Sequence, residues 1–120
     1  MDTSRIDAAV IGALSAIHQF SKVGPIAMIG GGSMVTRDVA PYCTVTGDRA
    51  RLVGLNRIGM ERNGFDEARI DAVKKAFRLI FRSKLLLKDA LAQAERELSG
   101  SPEVGRMVKF IRDSERGICR

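Results

Sequence analysis

Between Ala9 and Pro41 an aliphatic side chain returns at every sixth position, at Ile11, Ile17, Val23, Ile29 and Val35. Four residues after each stands something small or β-branched: Ser15, Ser21, Ala27, Ser33 and Val39. Directly after the aliphatics come Gly12, His18, Gly24, Gly30 and Thr36. A fixed period of six marks a parallel β-helix, in which each hexad supplies one short strand and one turn. Side chains two apart on a strand share a face. The pairs Ala9/Ile11, Ser15/Ile17, Ser21/Val23, Ala27/Ile29 and Ser33/Val35 are therefore predicted to point inward, one member large and the other small. Three hexads make a coil, so Ile11 should stack under Ile29 and Ile17 under Val35. The glycines fall at corners, where a positive φ costs them little. An amphipathic helix would need apolar residues at i, i+3, i+4 and i+7. It would also carry Gly12, Gly24 and the Gly30-Gly31-Gly32 run at roughly 1 kcal/mol each.

The repeat covers residues 9–48, about two coils, because stepping back six from Ile11 lands on Arg5, unfit for an interior aliphatic slot. Residues 1–8 are read as an irregular N-terminus. The outward strand centres are Val10, Ala16, Lys22, Met28 and Met34; all but the lysine are apolar, which calls for cover by neighbouring subunits. Tyr42 to Thr46 reads as a last strand, Gly47-Asp48 as a turn, and Leu55 to Glu61 as a short helix stopped by Asn63-Gly64.

The remainder of 49–120 is helical. Asp66 is an N-cap candidate with Phe65 and Ile70 as a hydrophobic staple. Ile70, Val73, Phe77, Ile80 and Phe81 form one apolar stripe, and Leu87, Leu91, Ala94 and Leu98 a second. Ser101 caps a third helix with Pro102 at its first position, burying Val104, Met107, Val108 and Ile111. Arg69, Lys74, Lys75, Arg78, Arg82 and Lys88 occupy the opposite faces.

Charge sharpens this division. The chain of 120 residues carries a net charge of +6, and residues 1–47 contribute none of it, with Arg5, Lys22 and Arg37 balanced by Asp2, Asp7 and Asp38. The positive field belongs to the C-terminal part and fits an acidic partner. Nucleic acid is disfavoured: Tyr42 is the lone tyrosine, tryptophan is absent and no groove-reading motif occurs. No apolar run reaches the length of a membrane span, and MDTSRIDAAV carries two Asp and no apolar core, so neither an integral membrane segment nor a secretory leader is expected. Cys43 and Cys119 are too few for a disulfide framework or a metal site. A reduced, cytoplasmic protein without metal or cofactor is the expectation.

His18 is the single histidine, placed with Gln19 in the corner slot that glycine fills elsewhere, which points to a task for the imidazole. No Ser/Asp partner or second histidine accompanies it, so no acid–base constellation is legible. Gly30-Gly31-Gly32 lacks the Lys-Ser/Thr of a phosphate-binding loop and reads as a tight corner.

The run IGALSAIHQFSKVGPIAMIGGGSMVTRDVAPYCTVTGDRARLVGLNRIGMERNGF, with FRLIFRS and the terminal FIRDSERGICR, closely resembles the bacterial acyl-[acyl-carrier-protein]–UDP-N-acetylglucosamine O-acyltransferases, over about residues 9–120. HQF, MIGG, GLN and RGICR carry the resemblance. It implies a short left-handed parallel β-helix followed by a C-terminal helical bundle, a homotrimer with sites between subunits, and the first step of lipid A synthesis, in which a 3-hydroxyacyl chain passes from acyl carrier protein to the sugar 3-hydroxyl. It further implies that His18 and Gln19 line the substrate cleft, that Gly31 is the acyl-chain ruler, and that Asn56 and Arg62 hold the UDP of UDP-N-acetylglucosamine, a guanidinium on phosphate being the expected chemistry. The basic helices would meet the acidic acyl carrier protein. The resemblance further implies a general-base histidine about two coils upstream of His18, outside these residues, so no catalytic residue is assigned and the chain is expected to be inactive alone. GMERNGF stands where the family reads GLKRRGF, so Glu61 replaces a lysine and Asn63 an arginine. The alternative is a non-catalytic trimerising or binding module that associates with a full-length homologue.

Overall fold

The computed structural model describes residues 8–120; Arg5 and the rest of the predicted irregular N-terminus up to residue 7 lie outside them. Four two-residue strands open the fold: β1 (Val10–Ile11), β2 (Ala16–Ile17), β3 (Met28–Ile29) and β4 (Met34–Val35). All their pairings are parallel. Val10 faces Met28 and Ile11 faces Ile29, while Ala16 faces Met34 and Ile17 faces Val35, each eighteen residues on. A third parallel contact joins Val23 to Val39. The chain visits these three ladders in turn, and their inward side chains meet in one apolar core. Ala9, Val23, Ala27, Ile29, Val35, Val39 and Val45 are buried there, with Ile11 and Ile17 half-buried at its open end. Ser33 is buried and Ser15 partly so, both donating to Gly30 O, at 2.6 and 2.8 Å.

The step of eighteen then shortens. Val23 meets Val39, and β3 meets β5 (Cys43–Thr46) with Ile29 opposite Val45, both sixteen residues apart. The corner between Val35 and Val39 is two residues short of the repeat. Asp38 makes this possible: its buried carboxylate accepts the Lys22 N–H at 2.7 Å, in place of a backbone carbonyl.

The periodic glycines are needed for a different reason from the one predicted. Gly12, Gly24 and Gly30 are not among the residues with positive φ. A Cβ on Gly12 would lie 2.5 Å from Gly31 N, on Gly24 2.5 Å from Pro41 N, and on Gly30 2.6 Å from Thr46 Oγ1. These slots demand glycine because the next level lies directly against them. Left-handed residues come three after Ile11, Val23 and Ile29, at Leu14, Ile26 and Gly32, and six before Leu14 at Ala8, with φ from 56° to 73°. Tyr42 follows Val39 by the same three, with φ of 65°.

The sheet runs past residue 48. After the turn at Gly47, β6 (Arg51–Leu55) pairs antiparallel with β5, with a register irregularity between Thr44 and Val45. The expectation that 49–120 is helical is thus corrected at its start, where residues 51–55 pair with the open edge of β5. The short helix is displaced accordingly: α1 is Arg57–Arg62, and Leu55 ends the strand before it. The long helices match their stripes. Asp66 caps α2 (Glu67–Phe81) by accepting from Arg69 N at 2.9 Å, and Ser101 caps α4 (Pro102–Asp113) by accepting from Val104 N at 3.2 Å. With α3 (Leu87–Glu97) they enclose a second core of Ile70, Val73, Ile80, Leu91, Met107 and Val108, joined by the fully buried Tyr42 and Met60. The tail after α4 returns to the strands: Asp38 N donates to Gly117 O, Cys119 N donates to Asp38 O, and Ser114 Oγ donates to the Asp38 carboxylate at 2.6 Å.

Candidate functional site

Each corner of the ladders carries one group of the candidate residues. Gly31 lies at the corner after β3, directly over the corner after β1: Gly32 N donates to Ala13 O, and a Cβ on Gly31 would approach Ala13 O to 3.3 Å. The position is exposed, so a larger side chain there would project outward from the turn, once the Ala13 carbonyl shifts by a few tenths of an ångström.

His18 and Gln19 form the corner after β2. His18 N donates to Val35 O and Ser21 N to His18 O, closing a tight turn. The imidazole is exposed; its Nδ1 accepts from Phe20 N at 3.2 Å and its ring centroid lies 5.7 Å from that of Phe20. With Nδ1 so engaged, Nε2 is the nitrogen left to meet a ligand. Phe20 is itself 66% exposed and presents an apolar face beside the imidazole. Its slot holds left-handed residues at Leu14, Ile26 and Gly32 but not here, and the sequence marks only His18 and Gln19 at this corner.

Asn56 and Arg62 sit at the third corner, at the two ends of α1. Asn56 is 6% exposed, and both ends of its amide are engaged: Nδ2 donates to Ile26 O at 2.9 Å and Oδ1 accepts from Gly59 N at 3.1 Å. It caps α1 and ties the helix to the ladder. An asparagine directly before a helical run carries that cue, although the link to Ile26 is visible only in three dimensions. Arg62 is exposed in the last turn. Of the two replacements in this segment, Glu61 accepts from Arg57 at 2.9 Å, and Asn63 donates to Gly59 O at 2.7 Å as the C-cap. Neither offers a cation to an anionic ligand.

No hydrogen bond among the described residues links these three groups to one another. Among the described residues no three His, Cys, Asp or Glu side chains are grouped to hold a metal. The two thiols are unsuited to nucleophilic work: burial pushes Cys43 up to about 12 and raises Cys119 as well, its Sγ donating to Arg37 O. Tyr42 is raised by burial, partly offset by the Arg106 guanidinium donating to its hydroxyl at 3.4 Å. No described helix is long and apolar enough to cross a membrane.

Parallel ladders stepping by eighteen residues, a closing hairpin and three packed helices define a hexapeptide-repeat protein with a helical C-terminal part. The sequence profile "Udp N-acetylglucosamine O-acyltransferase; Domain 2" matches residues 38–119, and the chain belongs to that family. It is 49% identical over 114 residues to the acyl-[acyl-carrier-protein]–UDP-N-acetylglucosamine O-acyltransferase of Myxococcus xanthus (strain DK1622), covering 95% of this chain and 44% of the relative. With the enzyme of that name from Anaeromyxobacter sp. (strain K) it shares 52% over 109 residues, 91% of this chain and 42% of the relative. The crystal structure of the UDP-N-acetylglucosamine acyltransferase from Bacteroides fragilis 9343 superposes with a TM-score of 0.88 at 41% identity, covering 93% of this chain and 44% of that one. The chain thus spans less than half the length of these relatives.

Proposed function

We propose that these residues form the C-terminal part of a UDP-N-acetylglucosamine 3-O-acyltransferase: a left-handed parallel β-helix of about two coils followed by a helical bundle, acting in the cytoplasm on 3-hydroxyacyl carrier protein and UDP-N-acetylglucosamine in the first step of lipid A synthesis. The observation that carries this reading is the eighteen-residue ladder register joined to 49% identity over 114 residues with an enzyme of that name. His18 and Gln19 would line the sugar-nucleotide cleft, Gly31 would set acyl length by leaving its corner bare, and Asn56 and Arg62 would hold the UDP. Residues at three separate corners can serve one cleft only if neighbouring copies supply them, which supports a homotrimer. The exposed Val10 and Met28 on one ladder and Met34 on the next supply apolar surface such a trimer needs. The basic helices would dock the acidic carrier protein.

The 120-residue polypeptide does not transfer acyl groups by itself in this reading, since its single histidine has no acid–base partner among the described residues. Calorimetric titration with UDP-N-acetylglucosamine, with Arg62→Gln as comparison, tests the assignment. Binding weakened about tenfold by the variant is expected; undiminished binding overturns the role of Arg62. Transfer from a 3-hydroxyacyl carrier protein by the chain alone would overturn its inactivity. The exposed apolar row also favours a second reading, a non-catalytic module that joins a full-length homologue, for which native mass spectrometry of the mixed chains would show hetero-trimers.

A further inference from the structure

A pocket of about 280 Å³ opens where the hairpin, the corner after β4 and the C-terminal tail meet. Four arginines line it: Arg37 from the corner, Arg49 and Arg51 from the hairpin, and Arg120 from the tail. No side-chain carboxylate lines it, and among the described residues no ion pair engages any of the four guanidinium groups. No acidic side chain stands among these four arginines, whose segments the fold brings to one pocket; the Arg120 guanidinium also lies 5.9 Å over the Phe81 ring. Met34 N donates to Gly47 O and Ala50 N to Met34 O, fixing the hairpin against β4. Asp38 N donates to Gly117 O and Cys119 N to Asp38 O, a single parallel bridge that sets the backbone of Arg37 beside that of the tail. Thr36, Ala50, Ile118 and Cys119 complete its lining.

We infer that this pocket is an anion site for a phosphate group. Four arginines lining one concavity can offer several guanidinium forks, which match the several oxygens of a phosphate better than the two of a carboxylate. Their summed field raises the local anion concentration before contact is made. His18, Gly31, Asn56 and Arg62 do not line the pocket, and the inference does not rest on the reaction proposed above.

The test is an NMR titration of the full chain, following arginine Nε–Hε resonances at constant ionic strength. The probes are inorganic pyrophosphate, as a terminal phosphate, and dimethyl phosphate, as a diester, with sodium chloride as the blank. Saturable shifts at Arg37, Arg49, Arg51 and Arg120 are expected with one of the two phosphates, and the one that binds tells terminal phosphate from diester. Arg49→Gln/Arg51→Gln should weaken binding about tenfold or more, the Lys pair should weaken it less, and Arg78→Gln on α2 should leave it unchanged. Where the double variant does not fold, Arg37→Gln and Arg120→Gln singly give the same reading. Shifts that do not saturate, that chloride reproduces, or that survive loss of the arginines overturn the inference.

Discussion

The repeat makes two opposite demands on its corners, and a pair of substitutions separates them. Gly24→Ala adds a Cβ 2.5 Å from Pro41 N, 2.7 Å from Pro41 Cα and 2.8 Å from Pro41 Cδ, all backbone or ring atoms of the next level. No flexible side chain can yield there, so strain at the upper end of about 1–3 kcal/mol is expected. Alanine recovers about 0.4–1 kcal/mol by stiffening the unfolded chain, leaving a net loss near 2 kcal/mol. At roughly 3–5 °C per kcal/mol for a chain of this size, Tm falls by about 6–10 °C. Leu14→Gly should act the other way. Leu14 holds φ at 63° and is 95% exposed, so glycine relieves about 1–2 kcal/mol of left-handed strain and forfeits almost no burial. After the entropy of the freer unfolded chain, a gain of up to about 1 kcal/mol remains. Urea and thermal unfolding of the full chain by circular dichroism read both. A harmless Gly24→Ala, or a Leu14→Gly that lowers stability, would refute the claim that close approach, not φ, reserves the periodic slot for glycine.

Asp38→Ala removes the acceptor of Lys22 N and Ser114 Oγ; a loss of about 2–4 kcal/mol is expected, with faster hydrogen exchange at the Cys119 amide as the tail loosens. Asn56→Ala should cost about 1–3 kcal/mol through the lost cap and the orphaned Ile26 carbonyl, so any effect of this variant on sugar-nucleotide binding must be read against its unfolding curve. Cys43 is raised from 9.0 to about 12 in the folded chain, so the folded state holds the proton more tightly. Its stabilising effect is complete below pH 9 and declines as pH rises toward 12, by about 1.4 kcal/mol per unit; the difference in urea midpoint between the parent chain and Cys43→Ala, measured from pH 8 to 11, should shrink accordingly. Both thiols should resist a disulfide reagent at pH 8 until urea is added.

The six-residue recurrence of Ile11 to Val35 was enough to set the inward faces and the eighteen-residue stacking, because a strand alternates sides and three equal turns return the chain above itself. Helix ends were equally local: Asp66 and Ser101 cap the backbone three residues ahead, within reach of any reading of the sequence. What tertiary structure decided involves partners remote along the chain. The shortened corner at Asp38 depends on Lys22 and on Ser114, seventy-six residues away. The antiparallel β6 forms only because β5 offers an open edge. Asn56 was marked as a ligand residue and is held by Ile26, and the four arginines are separated in sequence until the tail folds back. Periodicity records what each level repeats. It is silent on contacts made once, between elements that share no period, and those contacts place the candidate residues at three corners and gather the arginines in one pocket.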